Sequence, residues 1–180
     1  MHRIGLLGGE CTGKATLAAG LATALPAVVA PEYLREFVTA MGRVPSPDEQ
    51  ESIMRRQMAM VEDAEAEAEA GGIEWVVADP LPLMTALYSI VYFSDDSLWE
   101  VSMQDARRYD LILWCQPDVP WTPEPGMRDG ELHRLAAHEV IAERAAVLLP
   151  LRLISGTADI RVAGALGYAA EIDAATRPGA

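Results

Sequence analysis

Cysteine is nearly absent. Cys11 and Cys115 are the only two in 180 residues, so no disulfide framework holds the chain together. Histidine is as scarce, with three and no Cys/His cluster, which argues against a structural zinc site. Positive charge is short too: 14 Lys and Arg stand against 27 Asp and Glu, a formal net charge of −13. Affinity for nucleic acid comes mainly from Lys and Arg on phosphates, so this balance speaks against such a partner. It leaves ATP open, because one triphosphate is held by local backbone amides and a few cations. No apolar run approaches the roughly 20 residues that span a bilayer. Met1-His2-Arg3 enters a strand rather than a signal peptide. Together these absences point to the cytoplasm and to no membrane partner.

What is present is ordinary globular material, 51% hydrophobic and 23% charged. Its length suits one domain over residues 1–180 with a substantial core. The most informative stretch comes first. Arg3-Ile4-Gly5-Leu6-Leu7 reads as a buried strand, followed at once by Gly8-Gly9-Glu10-Cys11-Thr12-Gly13-Lys14-Ala15 and then by an amphipathic stretch to Leu25. Strand, glycine-rich loop and helix in that order are the context of a phosphate-binding P-loop. Loop amides curl round a triphosphate while the helix N-terminus turns its partial positive charge toward it. Lys14 then neutralises the β- and γ-phosphates. One position departs from the pattern: Ala15 stands where a Ser or Thr would hold Mg²⁺, and the nearest hydroxyl is Thr16.

Further along, Ala27–Ala30, Trp75–Asp79, Leu111–Cys115 and Arg152–Ile154 are short apolar runs that read as buried strands. Between them lie helical patterns. One opens within 31–37. One starts at a capping box of Ser46 and Glu49, with Pro47 at the first helical position, and runs to about Ala70, where Gly71-Gly72 stops it. Ile53, Met54, Gln57, Met58 and Val61 share one face of that helix, as core packing. Its tail, 62–69, reads as a solvated helical end. Pro80 and Pro82 predict an extended exit from the third strand. Leu83–Phe93 is an apolar helix. Ser97 and Glu100 cap another that reaches Arg108, Gly130 to Leu149 is helical, and the tail from Thr157 carries one weak helix. Hydrophobic strands alternating with helices predict a parallel sheet covered on both faces.

In a doubly wound sheet, ligands sit at the carboxyl ends of the strands. Four marked segments lie there: the glycine-rich loop, Glu32 with Arg35, Asp79, and the loop from Asp118 to Arg128. Each also fits a plain role. Asp79 fits a turn cap, Glu32 and Arg35 a surface i,i+3 pair, and Arg128 a solvated side chain. Converging on one rim, they match the needs of phosphoryl transfer. Lys14 and the loop amides cradle phosphate, Asp79 takes the place of the metal-holding carboxylate, Glu32 orients the accepting hydroxyl, and Arg128 suits a lid over about 117–135.

Four segments carry a family resemblance: GLLGGECTGKATLA, PEYLREFV, VVADPLPLMTALYSIVYF and YDLILWCQPDVPWTPEPGMR. In series they resemble the motifs of NadR-type ribosylnicotinamide kinase domains and their stand-alone AAA-type ATPase relatives, from Arg3 to Arg128 and more loosely to Arg161. The resemblance implies a P-loop NTPase fold of the nucleoside/nucleotide-kinase-like kind, a three-layer α/β sandwich around a parallel five-stranded sheet. It implies ATP-dependent phosphorylation of the 5′-hydroxyl of nicotinamide riboside, giving nicotinamide mononucleotide, with ATP and Mg²⁺ as cofactors. By match, Gly8, Gly13, Lys14 and Thr16 belong to the ATP loop, Glu32 and Arg35 to the acceptor segment, Asp79 to the metal, and Arg128 to the lid. Besides Ala15, Pro80 and Leu81 replace the Thr and second Asp of the family's D-T-D form, and Pro31 stands where some members have Trp. A stacking surface for a flat pyridinium must then come from Tyr33, Tyr88, Tyr92 or Trp121; Tyr88 and Tyr92, one turn apart in an apolar helix, read as core. Three readings follow: a small-molecule kinase, a nucleotide-binding regulatory module with catalysis weakened at Ala15, and a metabolic α/β domain without nucleotide.

Overall fold

Five hydrophobic runs become five strands; the central ones are buried on both faces and the edge strands only in part. In the computed structural model, which describes residues 1–123 and 130–176, β1 (His2–Leu7), β2 (Ala27–Ala30), β3 (Trp75–Ala78), β4 (Leu111–Cys115) and β5 (Leu151–Ile154) form one sheet. Its order is β2-β3-β1-β4-β5 and every pairing is parallel. The helices are α1 (Lys14–Ala24), α2 (Tyr33–Met41), α3 (Gln50–Gly71), α4 (Leu83–Phe93), α5 (Trp99–Ala106), α6 (Glu131–Val140) and α7 (Ala158–Thr176). This is the predicted P-loop kinase-like architecture.

Period-two alternation splits the core into two layers. Ile4, Leu6, Trp75, Val77, Leu111 and Leu113 face α1 and α7, where Leu17, Leu21, Ala165 and Ala169 meet them. Leu7, Ile112 and Trp114 face the other way, onto Leu83, Met84, Leu87, Met103 and Ile141. A smaller cluster seats Val61, Ala64 and Ala68 of α3 on Ala30, Val76 and Ala78. β1 lies in the middle, with β3 on one side and β4 on the other, so the loops leaving β1 and β3 part over its carboxyl end. That crevice positions the site.

Several local expectations change in three dimensions. The capping box of Ser46 and Glu49 forms, but its first turn, Pro47–Glu49, is a tight 3₁₀ turn before α3 begins. The acidic tail of α3 is not wholly solvated, since the Glu65 carboxylate pairs with Arg3 of β1. The exit from β3 is not extended throughout: the Asp79–Pro80 bond is cis, and Pro82 already has helical dihedrals at the head of α4. Ser97 does not cap α5. Its amide instead bonds Asp95 Oδ1 at 2.9 Å, and α5 starts at Trp99. The helix from Gly130 is interrupted, with α6 passing into a π turn at Ile141–Ala145. The weak tail helix is instead 19 residues long and buries Arg161, Ala165 and Ala169, the two alanines in a packed seam with α1.

Candidate active site

The glycine-rich loop has the backbone its composition allows. Gly8 has φ 145°, and a Cβ there would meet Cys115 O and Thr12 Oγ1 at 2.8 Å each, so no other residue fits. Gly13 has φ 79° where it caps α1, and Cys11 takes a left-handed φ of 51°. Thr12 is buried, its hydroxyl donating to Gly9 O at 2.8 Å. Lys14 is the only lysine in the chain. Its Nζ donates to Gly8 O at 2.8 Å and Gly9 O at 2.9 Å, using two of three donors within the loop.

Two clefts open beside this loop. The larger, about 500 Å³, is lined by Cys11 to Leu17 on one side, by Asp79, and by Val119, Thr122, Gly156, Thr157, Ala158 and Arg161 on the other. The smaller, about 230 Å³, is mostly apolar, with Leu34, Val44, Pro45, Ile53, Tyr88, Tyr92 and Phe93 around Glu10, Gln50 and Thr85. Cys11, Lys14, Glu32 and Arg35 line both. The clefts therefore meet at two cations and one carboxylate.

The sequence-predicted residues, Arg128 apart, now have places. Ala15 and Thr16 line the larger cleft at the start of α1. Glu10 turns to the smaller cleft, where its Oε1 accepts from Tyr92 Oη at 2.9 Å. Glu32 sits at the head of α2, and Arg35 Nε donates to its Oε2 at 3.1 Å. The i,i+3 pair thus exists, and it stands where the clefts join. Tyr33 lines neither cleft; its amide bonds Gln57 Oε1. Trp121 also lines neither, lying under the Arg134 guanidinium at 5.5 Å. Arg128 falls outside the described residues, as does part of the lid expected over 117–135. The core reading of Tyr88 and Tyr92 covers only part of their surroundings: Tyr88 packs on the core, yet both rings line the smaller cleft. Burial there pushes the Tyr88 phenol well above its ordinary range.

Three site-shaping residues escape sequence reading. Gln57 Nε2 donates to Pro31 O at 3.0 Å while its Oε1 accepts from Tyr33 N at 2.8 Å, so one buried amide clamps both sides of Glu32. Arg134 and Arg161 are buried and grip loop carbonyls: Arg134 Nη1 donates to Val119 O at 2.8 Å, and Arg161 Nη1 to Thr12 O at 2.8 Å. Each reaches a carbonyl of the glycine-rich loop more than a hundred residues away, and no local motif marks them.

Asp79 closes β3 with 8% exposure, its amide bonded to Ala30 O at 2.9 Å. Burial pushes its carboxyl up to about 6; Lys14 and Arg35 oppose the shift and the Glu32 charge adds to it. A raised folded-state value means that the native protein holds this proton where the unfolded chain has lost it. The protonated form favours the fold fully below about pH 4, and that contribution is lost as pH rises through about 6. Asp79→Asn, which mimics the neutral acid, should therefore stabilise the nucleotide- and metal-free protein at pH 8. By linkage over about two units the gain is on the order of 3 kcal/mol, and it should vanish near pH 4. Urea unfolding with chelator at both pH values checks this; an equal effect at both would refute it.

As to metal, no group of three or more His, Cys, Asp or Glu able to hold an ion by itself exists among the described residues. Mg²⁺ needs no such cage, since it keeps waters and binds through one or two carboxylates plus substrate phosphates. A single buried carboxylate beside a phosphate loop fits that pattern.

A parallel sheet of this order, with a glycine-rich loop passing from β1 into α1 and a carboxylate ending β3, defines a P-loop nucleotide-binding fold. The chain belongs to the AAA domain family, whose profile matches residues 3–150. Among solved structures, NadR protein in complex with NR is similar with a TM-score of 0.63 and 24% identity, covering 96% of this chain and 49% of that one. NadR protein in complex with NAD and AMP-PNP gives a TM-score of 0.66 and 21% identity, covering 94% and 49%. Thymidylate kinase from Candida albicans gives 0.65 and 12%, covering 96% and 92%. The chain spans about half the length of the NadR proteins. At these identities the likeness establishes the fold, that of P-loop nucleoside and nucleotide kinases. No curated protein sequence matches the chain.

Proposed function

We propose that the chain is a single-domain, ATP-dependent small-molecule kinase that phosphorylates the 5′-hydroxyl of nicotinamide riboside to give nicotinamide mononucleotide. The observation that carries this reading is the junction of the two clefts at Lys14, Glu32 and Arg35. A phosphoryl group held in the larger cleft faces an acceptor held in the smaller one across that junction. The amides of the glycine-rich loop and Lys14 hold the β- and γ-phosphates. Glu32 takes the proton of the attacking hydroxyl as the new P–O bond forms and ADP leaves with the old one. Arg35 keeps the Glu32 carboxylate in place. Tyr88 and Tyr92 offer the acceptor ring a flat surface, a role we assign to them ahead of Tyr33 and Trp121. Arg128 is proposed to close over the phosphates, and a cytoplasmic setting suits an ATP-consuming enzyme. No described helix is long and apolar enough to cross a membrane. Asp79 would hold Mg²⁺, which when bound neutralises phosphate charge, and Thr16 belongs to the loop that holds ATP. ADP release measured with and without nicotinamide riboside tests the reading; stimulation by the riboside supports it, and none overturns that acceptor.

Ala15 favours a second reading, a nucleotide-binding regulatory module. A methyl group there leaves water to fill a metal position that Ser or Thr oxygen would take. Thr16 is a poor substitute, because the next helical residue points about 100° away. Ala15→Ser should raise apparent Mg²⁺ affinity, and turnover if the chain is a kinase. Mg²⁺ titrations at saturating ATP decide it: coincident curves would show that Asp79 and ATP oxygens already fix the metal.

A further inference from the structure

We propose that Arg161 is a positioning residue for the nucleotide, a role that rests on reading the larger cleft as the ATP site. It stands in the first turn of α7 with its side chain 3% exposed. Its planar guanidinium is shared among three loops. Nε donates to Gly156 O at 2.8 Å, Nη1 to Thr12 O at 2.8 Å, and Nη2 to Gln116 O at 3.0 Å and to the Asp118 carboxylate. The other Asp118 oxygen accepts from Gly156 N at 2.6 Å. These loops leave β1, β4 and β5, so one side chain ties together the carboxyl ends of three strands.

A buried arginine that served packing alone would leave the cleft indifferent to it. This one controls the orientation of a peptide that the cleft uses. In a planar trans peptide the C=O and N–H point in opposite directions. With the Thr12 carbonyl turned to Arg161, the Gly13 amide is turned away from it, to the side where the N-terminus of α1 attracts an anion. The Gly13 backbone has the guanidinium directly behind it, since a Cβ there would lie 3.7 Å from Nη1. The same group fixes Gly156, where the segment through Ala158 lines the cleft opposite the glycine-rich loop. Arg161 thereby sets the phosphate amides and that opposite wall at a fixed separation, pre-organising the cleft for a nucleoside triphosphate. Lysine cannot replace it, because an ammonium lacks the rigid fork that spans several acceptors.

Arg161→Met and Arg161→Lys in the full chain test this. Binding of Mg·ATP by calorimetry, thermal unfolding, and kinetics with nicotinamide riboside are measured for both. Losing a charge-assisted contact that orients the cradle should weaken ATP about tenfold or more. KM for ATP should rise in step, kcat at saturating ATP should hold within about threefold, and lysine should not rescue. A merely structural role would lower kcat through the folded fraction and leave KM alone. Folded Arg161→Met with ATP affinity within twofold of the parent overturns the proposal, as does restoration by lysine. If Arg161→Met does not fold, Asp118→Ala, which removes the charged partner that holds the guanidinium and one of the two tethers on Gly156, should still weaken ATP several-fold, and unchanged affinity there overturns it equally. A parent protein that binds no ATP would overturn the nucleotide reading itself, before any variant is compared.

Discussion

Lys14→Ala is expected to abolish measurable ATP binding and turnover. Lys14 is the only lysine in the chain, so no second ammonium can take its place. The nearby arginines are committed elsewhere: Arg35 to Glu32, Arg161 to Thr12, Gly156 and Asp118, Arg134 to Val119 and Glu131. A hydrogen bond to a charged group is worth about 1.5–3 kcal/mol, and in the proposed ATP site the lysine would meet more than one phosphate oxygen. The affinity for ATP should therefore fall by about 10²-fold or more. Stability should also fall, by about 1–3 kcal/mol, because Nζ holds the carbonyls of the buried Gly8 and Gly9 and the substitution removes that donor. Calorimetric titration with ATP and a melting curve on the same sample check both halves. Unchanged affinity would sink the assignment of the loop to phosphate.

Glu32→Gln carries the second large effect. Glutamine keeps the shape of the side chain and can still accept from Arg35, but it cannot take a proton. Loss of a general base lowers kcat by about 10²–10⁴-fold, while ATP binding should survive because the glycine-rich loop is untouched. Single-turnover rates beside ATP titrations separate the two steps. Near-normal turnover would shift the base to Asp79, whose carboxyl at about 6 already sits close to working pH.

Much of this architecture was legible along the chain. The bounds of β2, β4 and α4 read directly from Ala27–Ala30, Leu111–Cys115 and Leu83–Phe93, because both strands are uninterrupted apolar runs and this helix is apolar nearly throughout. The glycine-rich loop was legible for a different reason. Its function depends on backbone that only glycine allows, at Gly8 and Gly13, so composition and spacing record it. The rim segments Glu32 and Asp79 followed from their place at strand ends.

The differences have two sources. Ser97 fits a cap by its spacing to Glu100, but Asp95, two residues before it, takes its amide and α5 begins only at Trp99. The others turn on contacts made only in three dimensions. The tail helix looked weak because its support, the seam with α1, lies well over a hundred residues away. Tyr88 packs on the core as its apolar helix suggests, but the helix pattern does not say that its ring and that of Tyr92 also border a cleft. Gln57 sat among methionines on a buried face, and only the fold shows it clamping Pro31 and Tyr33.

By itself, then, the sequence determined which segments are strands and helices, that the sheet is parallel, and that a phosphate loop follows β1, since each depends on local backbone preference and burial period. The tertiary structure decided that two clefts meet at Lys14 and Glu32, and that Arg161 and Arg134 hold the loop from behind. A buried guanidinium must find several acceptors at once, and Arg161 finds one of them 149 residues away, where only the closing of the sheet brings it within reach.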